Sequence, residues 1–382
     1  MRCTIPLQPF FHLVRACISL ISPWSTTPIT KYLLLQAGGE QITLTATNLE
    51  TTVIAQCPAS ISEAGTVTLP GKTLFEILKE LSGEEITLSH NNKGLETKLH
   101  CGGSRVQLIG MPAEEFPSIP AHTATPLFSL PQEHLHRLLN ETIHSIGHET
   151  RNALNTLRIE WHPTSTPTIR LVATNGNRLT QAELTTGNWL TTPQEKGHAL
   201  LARTTAQLLH RLLRDTNGHI LTVGFADALL TLTLPTLQVT TRLVDSSYPD
   251  YETFTTRPLS PCLTFMRKAC IDSLNRLAII APRDTPAIDL DLTTNGLIVR
   301  TDNPQLGYAR EEVCATILRE DFTIRLNAQY LLDALTTAPT DSITLNMDTP
   351  HSPCILTNET PGRWKAVIMP IRLHTTHPKN TA

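Results

Sequence analysis

One order of helices and strands occurs three times along this chain, and a sequence that repeats a domain-sized pattern has few ways to fold. An amphipathic helix is predicted to open each copy, over Leu7–Ile21, Pro131–Ile146 and Pro261–Ile280. Alternating apolar and polar residues follow at Ile42–Ala46 with Thr52–Ala55, Leu157–Trp161 with Ile169–Ala173, and Ile288–Leu292 with Leu297–Thr301. Alternation of period two turns one face to a core, the mark of a half-buried strand. A second helix is predicted at Thr73–Leu81, Ala206–Leu213 and Ala328–Leu335. In the first of these, Leu74, Ile77, Leu78 and Leu81 share one face. Further strands close the copies: Glu85–Leu88, Glu96–Leu99 and Arg105–Ile109; His219–Val223, Leu229–Leu234 and Gln238–Leu243; Ser342–Leu345, Cys354–Thr357 and Ala366–Met369.

The second helices start about 125–130 residues apart, so the repeating unit is a domain and not a solenoid repeat. Pro117–Pro120 with Ala121–Pro126, and Thr255–Pro261, read as linkers. The expected domains are residues 1–121, 122–254 and 255–373, followed by a polar, disordered tail at 374–382. The fold class is α+β, with two helices per domain packed on antiparallel sheets. Three such domains invite an arc, and two arcs close into a six-domain ring if their end surfaces are complementary.

With 40% hydrophobic and 17% charged residues, the 382-residue chain reads as soluble and globular. A net charge of −3 excludes a generally basic nucleic-acid binder and leaves room for a local basic face. The cysteines at 3, 17, 57, 101, 262, 270, 314 and 354 form no C-x-x-C pair, which argues for a reducing, cytoplasmic setting. Pro6, Pro9, His12 and Arg15 break up the apolar N-terminal run, against a signal peptide. No run is long enough to span a bilayer.

No catalytic constellation is legible. Gly71-Lys72-Thr73 resembles the end of a phosphate-binding loop, but the glycine required five positions earlier is Thr66. His144 and His148 have helical i, i+4 spacing without a completing ligand, and read as a solvated helix end. Glu114-Glu115 and Glu311-Glu312 read as solvated charge. No enzyme, metal or cofactor is expected. Basic residues do gather on and beside the helices: Arg15, Lys72, Lys79, Arg137, Arg151, Arg203, His210, Arg211, Arg214, Arg267, Lys268, Arg276 and Arg325. A ring with its helices turned inward would line its hole with them and attract phosphates without reading bases. Lys72, Arg137, Arg151, Arg203, Arg211 and Arg276 are the set expected to face a nucleic acid held in such a hole. Glu76, Glu80, Glu133, Glu141 and Asp272 on the same helices would weaken that attraction.

Two short runs carry the most specific information. Val172–Leu179 (VATNGNRL) is a strand ending in an Asn-Gly turn, and Val367–Leu373 (VIMPIRL) is a buried strand interrupted by proline. To these add Thr47-Asn48-Leu49-Glu50, Met111-Pro112 with Phe116-Pro117, and Leu243-Val244-Asp245 with Tyr248–Tyr251. Asn303-Pro304 and Tyr330–Leu335 complete the series. Taken in their order along the chain, the motifs resemble the bacterial sliding-clamp family, the β subunits of DNA polymerase III, over residues 1–373.

The resemblance implies a homodimeric ring around double-stranded DNA that keeps the replicative polymerase on its template. Its implied partners are the DNA polymerase III α subunit, the clamp loader complex, and other replication and repair polymerases and ligase. The implied partner-peptide pocket is Leu154, Thr174, Gly176, Arg178, Leu179, Pro249, Val367, Ile368, Met369, Pro370 and Ile371. The implied dimer contact includes Val106, Leu108, Ile279 and Ile280. The chain departs from the family pattern at Asn175 and Asn177 in the turn, at Thr253, at Trp24, and in an acidic cluster reduced to Glu311 and Glu312. Asn177, Thr253 and Trp24 motivate an alternative, a clamp-derived interaction scaffold that no longer serves the polymerase.

Overall fold

The computed structural model describes the chain except for residues 23, 92–93, 119–123, 149–152, 165, 186–195, 215–217, 227, 259, 283–285, 295, 320–321, 359–362 and 372–382. The tail expected at 374–382, and Arg151, therefore lie outside the described residues. The helices are α1 (Leu7–Ile18), α2 (Gly71–Glu80), α3 (Gln132–Thr142), α4 (Arg203–Leu212), α5 (Glu252–Thr255), α6 (Arg267–Leu277) and α7 (Ala328–Thr337). They cover antiparallel sheets, as the α+β reading requires.

The chain divides into two compact units although its pattern repeats three times. The first is built mainly from Met1–Glu133 and Gln207–Leu243, the second from His134–Gly187, Gln194–Ala206 and Val244 onward. The physical reason is that sheets run across the copies. In the first unit an eight-stranded sheet joins Thr51–Pro58 of copy one to Leu237–Arg242 of copy two, with Thr51 opposite Thr241 and Val53 opposite Val239. In the second unit a nine-stranded sheet joins Arg178–Thr185 to Trp364–Ile368, with Leu179 opposite Val367.

The first unit also holds a five-stranded sheet, with Ser104–Ile109 at one edge and Ser60–Glu63 at the other. α1 buries Leu7, Phe10, Leu13, Val14 and Cys17. Phe11 stacks on Phe75 of α2 with ring centres 5.4 Å apart. A Cβ at Gly71 would collide with Ile21 and crowd Leu33, so this glycine admits the close approach of its neighbours. Packing accounts for the glycine of the Gly-Lys-Thr run.

The second unit adds a four-stranded sheet with Gly307–Val313 at its edge. α7 is capped by Asn327, whose side-chain oxygen accepts from the Gln329 and Tyr330 N–H groups at 2.9 and 3.1 Å. It buries Ala328, Leu331, Ala334 and Leu335.

Two local expectations are corrected. Residues 261–280 do not form one helix: Pro261–Met266 is a strand paired on both sides, and α6 begins at Arg267. Leu263 and Phe265 are buried in alternation there, a period-two signal hidden by the helical stripe that follows. Arg2–Pro6 and Thr125–Pro131 likewise open their copies as strands. The run from Val367 is ended by proline and not merely interrupted: its strand stops at Ile368, because Pro370 has no N–H to donate. Arg325, expected beside the second helix of copy three, sits on the strand Phe322–Asn327 that leads into α7.

A shared turn exposes one strained residue. In copy one the Asn48 side-chain oxygen accepts from the Glu50 and Thr51 N–H groups, and Thr47 Oγ1 accepts from Leu49 N–H. In copy two Asn175 and Thr174 do the same for Asn177, Arg178 and Gly176. The central residue has φ +90° at Gly176 but +78° at Leu49, whose side chain is 60% exposed. Leu49→Gly should relieve about 1–2 kcal/mol of left-handed strain and lose about 0.5–1 kcal/mol to glycine's looser unfolded chain. A slightly higher urea midpoint is the expected result. A lower one would mean that the Leu49 side chain holds the turn.

Candidate functional site

The carried-over pocket residues lie in the second unit, where the strands Arg178–Thr185 and Trp364–Ile368 meet. Alternation along two paired strands turns Leu179 and Val367 to one side, and both are buried, in a cluster with Val172, Tyr251 and Ile355. Tyr248 and Phe254 pack against that cluster. Beyond the strand end the Met369 N–H donates to the Asn177 carbonyl at 2.9 Å, tying the VIMPI run to the Asn-Gly turn. Met369 is 37% exposed, a flexible apolar side chain at the rim of a buried floor. Leu154 lies against Gly176, where a Cβ would stand 3.8 Å from its Cδ1. Thr174 Oγ1 donates to the Arg178 carbonyl at 2.7 Å and closes the turn.

Other members are placed differently. Ile368 is 1% exposed and belongs to the core, whereas Pro249 is exposed, and Pro370 and Ile371 are half-buried past the strand. Ile371 N–H donates to the Arg325 carbonyl at 2.8 Å. Arg178 is a fixed strut: its guanidinium donates to Asp333 Oδ2 at 2.6 Å and to the His144 carbonyl, and lies 4.5 Å from the centre of the Tyr330 ring.

His144 is not a solvated helix end. Its Nε2 is 3.2 Å from Thr180 Oγ1, and burial, aided by the Arg178 charge, lowers its pKa to about 4. At neutral pH it is an uncharged packing residue.

A buried polar cluster that residue-by-residue reading missed braces the Pro249 side. Glu160, 3% exposed, accepts from Tyr251 Oη at 2.8 Å, from Arg158 Nε, and from Arg170 Nη1 at 3.5 Å. His162 Nε2 stands 3.3 Å away. Burial pushes the Glu160 carboxyl up, but the Tyr251 hydrogen bond and the two arginines together outweigh it, and its pKa lies below the ordinary value. Arg170 also pairs with Glu183 at 2.9 Å. Tyr248 Oη donates to the Val172 carbonyl at 3.1 Å, and Lys365 Nζ donates to the Thr255 carbonyl at 2.6 Å. The segment carrying Pro249 is thereby fastened to the sheet from both ends. The available signal was the alternation of Arg158, Glu160 and His162 with Leu157, Ile159 and Trp161 on a strand whose two faces are both covered.

The expected DNA-facing residues do not form a uniform set. Lys72 on α2 and Arg211 on α4 are exposed. Arg211 joins His12, Arg15 and Arg214 around a cavity of about 300 Å³ in the first unit, and its Nη2 reaches the Ser19 carbonyl at 3.4 Å. Arg137 is exposed beside Glu141, 3.6 Å away, whose carboxyl burial pushes up to about 7. Arg203 donates to the Gly147 carbonyl at 3.0 Å. Arg276 is held by Glu311 through two hydrogen bonds of 2.6 and 2.5 Å, so its charge is already answered. Arg267, Lys268 and Arg325 are likewise paired, with Asp341, Asp272 and Asp289.

Of the expected dimer residues, Leu108 is 5% exposed and packs into its own unit, and Val106 is half-buried on the same edge strand. Ile279 is 75% exposed and Ile280 half-buried after α6. Trp24 is 89% exposed.

The α+β pattern, repeated three times, matches bacterial sliding clamps when the chain is compared with known proteins. The family models of the DNA polymerase III beta subunit match in three parts: the N-terminal domain at residues 1–120, the central domain at 129–250 and the C-terminal domain at 261–372. The beta sliding clamp of Caulobacter vibrioides is 26% identical over 381 residues, covering 98% of this chain and 100% of that protein. That of Proteus mirabilis is 29% identical over 354 residues, covering 91% and 93%. The crystal structure of the DNA polymerase sliding clamp from Pseudomonas aeruginosa with ligand matches with a TM-score of 0.88 at 25% identity, covering 98% of this chain and all of that one.

The chain belongs to the DNA polymerase III beta subunit family, the bacterial sliding clamps. Its function is that of the family, a non-catalytic processivity factor in DNA replication, and the alternative of a scaffold outside replication is not favoured.

Proposed function

We propose that two copies of this chain close head to tail into a ring around duplex DNA and tether their partners at the surface formed by Leu179, Val367 and Met369. The observation that best supports tethering there is the paired, buried Leu179 and Val367 beneath the exposed Met369, an apolar floor with an adaptable rim. Leu154, Thr174, Gly176, Arg178, Pro249, Ile368, Pro370 and Ile371 frame or support it. The partners are the polymerase III α subunit, the clamp loader complex, and other polymerases and ligase carrying short apolar motifs. The domains are 1–121, 122–254 and 255–373, and the setting is the cytoplasm. Among the described residues no helix is long and apolar enough to cross a membrane.

Support for closure comes from two open sheet edges, Ser104–Ile109 with Val106 and Leu108, and Gly307–Val313 beside α6 with Ile279 and Ile280. Unpaired edge strands are ready for main-chain pairing between subunits. DNA contact is assigned to Lys72, Arg211 and Arg137, with Arg203 at the margin; Arg151, expected in the same set, lies outside the described residues. Arg276 contributes less because Glu311 neutralises it.

Loaded by a clamp loader onto nicked circular DNA, the protein is expected to stay on the circle and to run off once the circle is linearised. Equal retention on linear DNA with free ends would show that attachment is not topological, and the ring reading would be wrong.

A further inference from the structure

We propose that Asp333 is a positioning residue for the peptide-binding surface: from α7 it holds the Arg178 guanidinium, and through it the turn that carries Gly176 and leads into Leu179. The inference rests on the reading of that surface as the docking site.

Arg178 is the residue at which the Asn-Gly turn re-enters the sheet, opposite Ile368 and directly before Leu179. Its side chain is 10% exposed, so its charge is desolvated and needs fixed partners. Asp333 Oδ2 takes one Nη at 2.6 Å, and the His144 carbonyl takes the other. Tyr330, on the same helix face as Asp333, lies against the guanidinium plane with its ring centre 4.5 Å from the central carbon. The planar fork of arginine makes such a clamp directional, which the point charge of lysine would not.

Asp333 is itself oriented. Its Oδ1 accepts from Gln329 Nε2 at 2.6 Å, one helical turn earlier. The turn has a second tether to α7, from Asn175 Nδ2 to the Tyr330 hydroxyl at 3.3 Å. Two bonds from one helix thus fix both sides of Gly176, which has φ +90° and no side chain of its own to pack. His144 cannot replace the carboxylate, since it offers Arg178 only its carbonyl and is uncharged at neutral pH.

With both Nη groups engaged, Arg178 contributes shape to the surface and little free charge. Asp333 therefore acts on peptide binding without touching peptide. Its removal leaves Arg178 held only by the His144 carbonyl and the Tyr330 ring and loosens the Gly176–Leu179 wall, which should appear as faster dissociation.

The test uses the full-length protein and a fluorescent peptide copied from the C-terminal tail of the polymerase III α subunit, with affinity read by anisotropy and stability by urea unfolding. Asp333→Ala is expected to weaken binding about 10-fold, and Arg178→Ala with Asp333→Ala to be no weaker than Arg178→Ala alone, since the two act as one unit. Asp333→Glu should recover binding to within about threefold, because the charged partner is retained.

Normal binding by Asp333→Ala, while Met369→Ala fails to bind, would overturn the positioning role and leave the surface assignment standing. Normal binding by both variants would overturn the surface assignment and the proposal with it. If Asp333→Glu binds no better than Asp333→Ala and both unfold earlier, Asp333 serves only stability and the proposal is wrong.

Discussion

Glu160→Ala is expected to lower stability by about 3–5 kcal/mol, the usual cost of removing one partner from a buried charge cluster. The carboxylate is 3% exposed and is the common acceptor for Tyr251, Arg158 and Arg170. Its removal leaves two guanidinium groups facing each other and a buried phenol without its acceptor. Arg170 retains Glu183, which limits the damage on one side. Urea unfolding at neutral pH measures the effect, and a loss below about 1 kcal/mol would place the cluster among surface ion pairs of little consequence. The sign with pH follows from the depressed carboxyl. This contribution is complete above the ordinary carboxylate value of 4.5 and disappears as the pH falls through the lower folded value. The unaltered protein should thus lose stability in acid more steeply than Glu160→Gln.

Leu179→Ala and Met369→Ala are expected to separate two roles that lie side by side. Leu179 is 6% exposed within the Val172, Tyr251, Ile355 and Val367 cluster, so its truncation should cost about 2–5 kcal/mol of folding stability. The same change should also weaken peptide binding. Met369 is 37% exposed at the rim. Truncating it should cost about 1–3 kcal/mol of peptide affinity, as for a binding hot spot. The unfolding midpoint should move by no more than a surface substitution moves it. Titration with the polymerase-tail peptide, paired with urea unfolding of each variant, checks both. If Met369→Ala binds normally, the rim is not an anchor.

These two residues also show how far the sequence could be read. Leu179 and Val367 stand out because each belongs to a short apolar run beside a turn-former, and local pattern is enough to find such runs. That the two face each other across a strand pair is a non-local fact, decided by register between residues far apart in the chain. The same limit explains the misread of Pro261–Met266, where six residues of strand were absorbed into the periodicity of α6. It also explains why His144 looked solvated: its spacing from His148 is helical, but Thr180 and Thr337, which enclose its ring, come from other elements.

Charge was legible as composition but not as pairing. Arg276 and Glu311 look like a DNA contact and an interface acid when read singly, and the structure joins them to each other. Asp333 carried no signal of its own, and Glu160 only its place in an alternating strand. A lone acid on a strand or helix is ordinarily solvated, and only the arginines brought to it by the fold give it a task.

The sheets that continue from one copy into the next have a consequence for how such a protein can be dissected or inherited. Cutting between copies would strip Thr51–Pro58 of Leu237–Arg242, or Arg178–Thr185 of Trp364–Ile368, and bare a row of unmatched amides and carbonyls in the middle of a former sheet. A single module cut free in this way would be sticky, inclined to pair with its own kind or with any other exposed strand. Gene duplication can lengthen such a chain, but trimming it back copy by copy is closed off, because each junction is woven into its neighbour.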